Sequence, residues 1–326
     1  MSSRGWADPE VTPGPPSAEV WLDGGMGNEV GAVTSEGAGA DGVSDELLAA
    51  VEETVRAVVA AEVVPRWRSL AEADIVQKAG PNDLVTTADR LAEERLTERL
   101  TALLPGSVVV GEEAVSADPG LLELLHGDDP VWVIDPVDGT SAFVRGDEGF
   151  STLVTLVRGG QPIASWTYAP LLGLFATARR GQGAYLDGKP LRTATDREPL
   201  RMWISNPVFR KAGERAALAR LVATGVETVP CLTSAGLGYL EVARGIADGV
   251  AFFWEAPWDH AAGLLLVSEA GGTSLTAGGE PFRVAGGNTF PFTVARDEET
   301  AKRVLDILSG DAEGNGDGEG TAAVRP

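Results

Sequence analysis

Apolar residues recur at helical spacing through Leu47, Leu48, Val51, Val55, Val58 and Val59, directly behind Ser44. A hydroxyl in front of such a run can accept from a first-turn N–H, so the pattern predicts a helix capped by Ser44 and ending near Pro65. A polar loop over 77–82 follows. A second helix is predicted from Thr87, with Leu91, Leu96, Leu100 and Leu103 inward and Pro105-Gly106 as its stop. Short apolar runs at 108–110 and 131–134 predict strands. Four more β-like segments, 151–157, 162–168, 174–178 and 184–186, lie close together with turn residues between them, which predicts an antiparallel sheet. Beyond Arg201 the pattern alternates. Helices are predicted at 211–223, 235–245, 259–270 and 298–309, and strands at 201–204, 226–230 and 249–253. The first part reads as α+β and the second as α/β.

Residues 1–43 are rich in Gly, Pro, Ser and acids without sustained periodicity, and 310–326 repeat the Gly/Asp/Glu bias. Both read as disordered tails. The folded body is then 44–309, with an α+β half over 44–200 and an α/β half over 201–309.

Charge changes the picture. The chain of 326 residues carries a formal net charge of −22. Such a surface repels nucleic-acid phosphates and anionic membranes, so neither is expected as a partner. It would equally repel a small phosphorylated substrate, unless a bound cation supplies local positive charge. The single cysteine, Cys231, excludes an intrachain disulfide. No positively charged segment followed by an apolar run opens the chain, and its apolar runs are too short to span a bilayer. The expected location is the cytoplasm.

The sharpest local signal is Asp135-Pro136-Val137-Asp138-Gly139-Thr140, behind the strand-like Val131-Trp132-Val133-Ile134. Two carboxylates three residues apart on a turn can converge on one cation or bridge two. Gly139 permits close backbone approach. Thr140 and Ser141 stand where a helix would begin, and free N–H groups there form an anion site. Alone, the segment reads as readily as a turn whose Asp caps a helix. Three further acidic groups add weight. Asp89 closes Asp83-Leu84-Val85-Thr86-Thr87-Ala88-Asp89 at the start of the second helix; Glu112 and Glu113 follow a strand-like run; Asp259 opens another helix in Trp258-Asp259-His260-Ala261-Ala262-Gly263. Singly these are a first-turn acid, a solvated pair and an N-cap. Carboxylates at strand ends and helix starts tend, however, to meet at one sheet edge. With two histidines and one cysteine the chain lacks a soft zinc cage, whereas Asp and Glu oxygens suit magnesium or manganese.

Together these segments resemble the inositol monophosphatase family, within the lithium-sensitive, magnesium-dependent phosphatase superfamily that includes fructose-1,6-bisphosphatase and nucleotide 3′-phosphatases. The matching pieces are Lys78, Asp83 to Asp89, Gly111-Glu112-Glu113, Asp135 to Thr140, Trp258 to Gly263 and Glu269-Ala270-Gly271-Gly272. The resemblance covers 44–309 and implies a layered αβαβα sandwich of the inositol monophosphatase and fructose-1,6-bisphosphatase type. It implies two or three Mg2+ ions, with Mn2+ as a substitute. Glu112, Asp135 and the carbonyl of Val137 would hold the first, Asp135, Asp138 and Asp259 the second, and Glu112 with Asp89 a weaker third. Thr140 would orient the attacking water, helped by Asp89 or Glu112 as proton acceptor. The N–H groups of Gly139 and Thr140 would hold the phosphate. Lys78 falls near the metal site or stays a solvated loop lysine. Lithium inhibition and a homodimer also belong to the family pattern.

Substrate choice rests on fewer residues. Many inositol-type members place a Glu seven residues before the WD aspartate to bind substrate hydroxyls. That position is Phe252, which removes one such acceptor; the nearest acid, Glu255, is a shifted substitute or a surface residue. Ser234-Ala235-Gly236 takes the place of the family's small-residue substrate loop, and Ser234 and Ala235 are expected to bind substrate together with Asp138 and Asp259. Arg145 reaches a second anionic group or, by a small margin, solvent. The resulting expectation is a magnesium-dependent phosphomonoesterase for a small polyol or sugar phosphate. Histidinol phosphate, fructose bisphosphate and 3′-phosphoadenosine nucleotides are alternatives within the family. A non-catalytic metal-binding homologue is a second class. Gly181-Gln182-Gly183-Ala184, the one hint of a nucleotide-binding oxidoreductase, reads better as a hairpin turn.

Overall fold

The computed structural model describes residues 43–77, 84–205, 210–229 and 233–310. Both predicted tails, apart from Val43 and Gly310, lie outside these residues, as do Lys78, Asp83 and Cys231. Ser44 caps α1 (Asp45–Val58) through a hydrogen bond from Leu47 N to its Oγ at 3.2 Å. Val51, Val55 and Val58 form its buried stripe. The chain then loosens into a π turn and a 3-10 turn containing Pro65, which supplies no N–H to continue the helix. β1 (Ile75–Gln77) pairs antiparallel with β2 (Leu84–Thr86). α2 (Thr87–Leu103) starts on a capping box: Thr86 Oγ1 accepts from Ala88 N, and Asp89 Oδ2 accepts from Thr86 N at 2.8 Å. Its buried face differs from the prediction. Ala88, Ala92, Glu93, Leu96, Leu100 and Leu103 are buried, while Leu91 is half-buried. Alanines one turn apart let the helix lie close to the sheet beneath it.

That sheet has seven strands in sequence order: β3 (Val108–Gly111), β4 (Val131–Asp138), β5 (Ser151–Arg158), β6 (Gln161–Ala169), β7 (Leu174–Arg179), β8 (Gly183–Leu186) and β9 (Lys189–Pro190). β3 and β4 run parallel and the rest antiparallel. α3 (Glu112–Ala117) lies in the β3–β4 connection and α4 (Thr140–Arg145) in the β4–β5 connection. Gly181 sits at φ 71° in the β7–β8 hairpin, so its glycines make a turn, as the sequence indicated.

The second sheet has the order β11-β10-β12-β14-β13. β10 (Arg201–Trp203), β11 (Glu227–Val229) and β12 (Gly249–Phe252) run parallel; β13 (Thr273–Thr276) and β14 (Phe292–Ala295) close the sheet antiparallel. Neither β13 nor β14 is visible in the sequence pattern. β13 is short and polar, and β14 is buried on both faces, so it shows no alternation. α5 (Ala212–Ala223) and α8 (Glu298–Ser309) cover the outer face, and α1 and α2 cover the first sheet. α6 (Ala235–Ala243) and α7 (Pro257–Glu269) fill the space between the sheets, giving the αβαβα layering. Their crossing is close enough that a Cβ on Gly263 would lie 2.0 Å from the Tyr239 ring. No helix among the described residues is long and apolar enough to cross a membrane.

Candidate active site

Parallel pairing brings the C-terminal ends of β3 and β4 to one edge. Glu112 begins α3 there, and Asp135 and Asp138 end β4. The sequence placed these aspartates on a turn, but they belong to the strand. Opposite β5 the register passes from Asp135↔Leu153 to Asp138↔Ser151, so β4 carries one extra residue. In a regular strand, residues three apart face opposite sides; the bulge restores a common side. Asp89 arrives in the first turn of α2 and Asp259 in the first turn of α7.

Carboxylate oxygens of Asp135, Asp138 and Asp259 lie within 4.8 Å of one another. Asp135 is 1% exposed and Asp138 6%. Asp138 is held from the other half of the molecule: its Oδ1 accepts from Ala235 N at 3.0 Å, and its Oδ2 from Gly236 N at 2.7 Å and from the Ser234 hydroxyl. Ser151 Oγ adds a fourth donor at 3.1 Å. Gly236 is required here, since a Cβ would stand 2.8 Å from Ser151 Oγ and 2.5 Å from Leu153. Gly139 turns the chain out of β4 at φ 93°, and a Cβ on it would lie 3.0 Å from the carbonyl of Gly149. Beyond this turn Thr140 Oγ1 stands 3.0 Å from Val137 O and 3.4 Å from Asp89 Oδ1.

Grouped acids in a closed space resist ionisation. Burial, then the charges of Glu112, Asp138, Asp259 and Asp89, holds the Asp135 carboxyl well above the usual range. Burial also raises Asp138, against the pull of its four donors. Asp259 is pushed up to about 7, first by burial and then by Asp138. Burial lifts Asp89 to about 7 against hydrogen bonds from Thr86. The donor set is therefore hard, oxygen-only and short of positive charge, which fits a cation of the magnesium or manganese kind. The one imidazole nearby does not compete as a ligand. His260 Nε2–H donates to Trp254 O at 3.1 Å, and Nδ1 accepts from Tyr239 OH at 3.0 Å. Burial pushes its pKa down to about 3, so the ring stays neutral.

Other predicted residues lie elsewhere. Arg145 pairs with Asp147 at 2.9 Å on the surface. Glu255 is exposed, and its Oε1 accepts from Asn288 N at 2.7 Å, tying down a loop. Phe252 is fully buried and stacks on Tyr239 at 5.0 Å, so counting seven residues back from Asp259 reaches the core. From that segment the side chain at the carboxylates is Trp254, whose indole N–H donates to Asp259 Oδ2. Glu269 accepts from Gly181 N and Gly183 N, both at 2.8 Å, and secures the β7–β8 hairpin.

Like Trp254, Ser151 and Glu93 escaped the sequence reading. Ser151 closes on Asp138. Glu93, 6% exposed, accepts from Glu113 N at 2.9 Å and Ala114 N at 2.8 Å, clamping the turn that carries Glu112. A Cβ on Gly111 would sit 2.3 Å from the Glu93 carboxylate carbon, which explains the glycine before the two acids. The available signal was position: Glu93 follows Asp89 by one helical turn and shares its buried face.

Comparison with known proteins agrees with this geometry. The inositol monophosphatase family profile matches residues 44–307. The inositol-1-monophosphatase of Rhizobium meliloti is 34% identical over 249 residues, spanning 72% of this chain and 85% of its own. A fructose-1,6-bisphosphatase/inositol-1-monophosphatase of Aquifex aeolicus is 33% identical over 215 residues, 64% of this chain and 78% of its own. Among solved structures, an IMPase of Thermotoga maritima superposes with a TM-score of 0.70 at 24% identity, covering 82% of this chain and 98% of its own, a likeness of fold. Matched along nearly all of its folded body, the chain belongs to the inositol monophosphatase family.

Proposed function

We propose that this phosphatase-family chain is a Mg2+-dependent phosphomonoesterase for a small polyol or sugar phosphate. The observation that carries the reading is the trio Asp135, Asp138 and Asp259, buried within 4.8 Å of one another with ionisation suppressed. Glu112, Asp135 and the Val137 carbonyl are assigned to one ion, Asp135, Asp138 and Asp259 to a second, and Glu112 with Asp89 to a weaker third. When bound, the cations neutralise the pocket and polarise the phosphoryl group.

The chain's own groups supply position and proton transfer. Thr140 Oγ1, between Val137 O and Asp89 Oδ1, orients the attacking water. Asp89, whose Oδ1 lies 3.4 Å from Thr140 Oγ1, takes up its proton, with Glu112 as the alternative acceptor. The N–H groups of Gly139 and Thr140 receive phosphate oxygens where the left-handed turn enters α4. Ser234 and Ala235 form the substrate side of the pocket while holding Asp138.

The test is phosphate release from inositol, histidinol, sugar and nucleotide phosphates, with Mg2+ or Mn2+ and with chelator. Metal-dependent release from at least one ester is expected, with inhibition by lithium. Absence of release from every ester at any metal concentration overturns the reading and favours a non-catalytic homologue.

A further inference from the structure

Trp254 is clamped at two points by consecutive residues of α7. Its indole N–H donates to Asp259 Oδ2, and its carbonyl accepts from His260 Nε2 at 3.1 Å. The imidazole is itself fixed by Tyr239 OH at 3.0 Å. The indole has neighbours on several sides. The Phe252 ring meets it edge-on at 5.1 Å and 89°, and the Arg210 guanidinium lies 4.2 Å from its centroid. A planar donor held this way has one direction in which to present its N–H. It holds Oδ2 of Asp259, the carboxylate that also belongs to the Asp135–Asp138 cluster. Asp259 is the member of the trio delivered by a different layer, so its angle is not fixed by the β4 bulge that aligns the other two.

We propose that Trp254 is a positioning residue that sets the divalent-cation affinity of the site by fixing the orientation of Asp259. This rests on the reading of the trio as cation ligands. Hydrogen-bond partners of ligating carboxylates fix ligand orientation, and their loss typically weakens metal binding about 10- to 100-fold.

The experiment uses the full chain and MgCl2 alone as probe. Trp254→Phe keeps a ring in the slot and removes the donor. Calorimetric titration is expected to give a magnesium Kd raised about tenfold. The midpoint of magnesium activation should rise by the same factor, with turnover recovered at excess magnesium. Melting in EDTA should match the wild type. Trp254→His, which retains a ring N–H, should bind magnesium more tightly than Trp254→Phe, and it carries the test if the phenylalanine variant does not fold. Unaltered magnesium affinity in Trp254→Phe overturns the proposal, as does a loss of affinity accompanied by an equal loss of stability in EDTA. A wild type that binds no magnesium sinks instead the reading of the site itself.

Discussion

Asp248 and Asp135 are both enclosed carboxylates, 0% and 1% exposed, yet they stand in opposite company. Asp248 meets Arg296 Nη1 at 2.9 Å and Arg197 Nε at 3.4 Å, and accepts from Arg201 N at 2.7 Å. Arg296, 5% exposed at its side chain, also reaches Asp196 and Asp297, each at 3.1 Å. Asp135 is acted on by the charges of four other acids. In the first place the chain carries its own counter-ions beside the buried carboxylate. In the second, like charges are packed into low dielectric, where each uncompensated ion costs several kcal/mol. The contrast separates the two clusters: Arg296 ties the loop after β9 to the second sheet, whereas the trio has the geometry to take a compensating charge from solution.

The comparison breaks most visibly at Asp135. Asp135→Asn keeps an acceptor for Val137 N, now at 3.1 Å from Oδ1, and removes a ligand shared by two assigned ions. Loss of charge stabilisation worth several kcal/mol predicts a fall in turnover of about a thousandfold. Because the same change relieves repulsion, the variant should melt at higher temperature than the wild type in EDTA. A variant that is both inactive and less stable without metal would put Asp135 in the class of Asp248. Arg296→Met tests the other side. Stranding a buried Asp248 should cost about 3–5 kcal/mol in urea unfolding, with magnesium affinity unaltered.

A smaller effect is expected at Glu93, which accepts from two backbone N–H groups. Glu93→Gln places an amide against one of the two donors, Glu113 N or Ala114 N. A loss of about 1.5–3 kcal/mol follows for a hydrogen bond to a charged group, read as reduced stability and as a higher magnesium requirement through Glu112. An unchanged magnesium requirement would detach Glu93 from the site.

Glu93 also marks where the sequence stops being legible. Asp89, Glu112, Asp135, Asp138 and Asp259 are readable because each sits toward a strand end or at a helix start within a short motif, a local pattern. The helices are readable for the same reason: Ser44 announces the first and the apolar period sustains both. Glu93 looks like any acid in a polar helix until α3 is brought against it. The β4 bulge, Ser151 and Trp254 are likewise products of pairing between segments far apart in sequence. Phe252, which the residue count places at the family's acceptor position, lies in the core.

The pH dependence of stability sharpens the comparison with the smallest energies. Asp89 and Asp259 are raised from 3.8 to about 7 in the folded chain. Between those values the folded state holds protons that the unfolded state has released. This contribution is complete below about pH 4 and is lost as pH rises through 7. His260 acts in the opposite sense: its folded value near 3 lies below 6.5, so its contribution is lost as pH falls through that interval. Between pH 6.5 and 8 the opposing change from the imidazole is small and the carboxylates dominate. In EDTA the unfolding free energy should fall across this range by about 1–2 kcal/mol for the two groups together. Saturating magnesium should abolish the fall, because a cation that binds the ionised folded site replaces the protons. An Arg296→Met chain should keep the same slope at lower overall stability, since its altered pair lies in the other cluster. A slope that survives saturating magnesium would mean that the acids titrating near neutrality are not those that receive the ion.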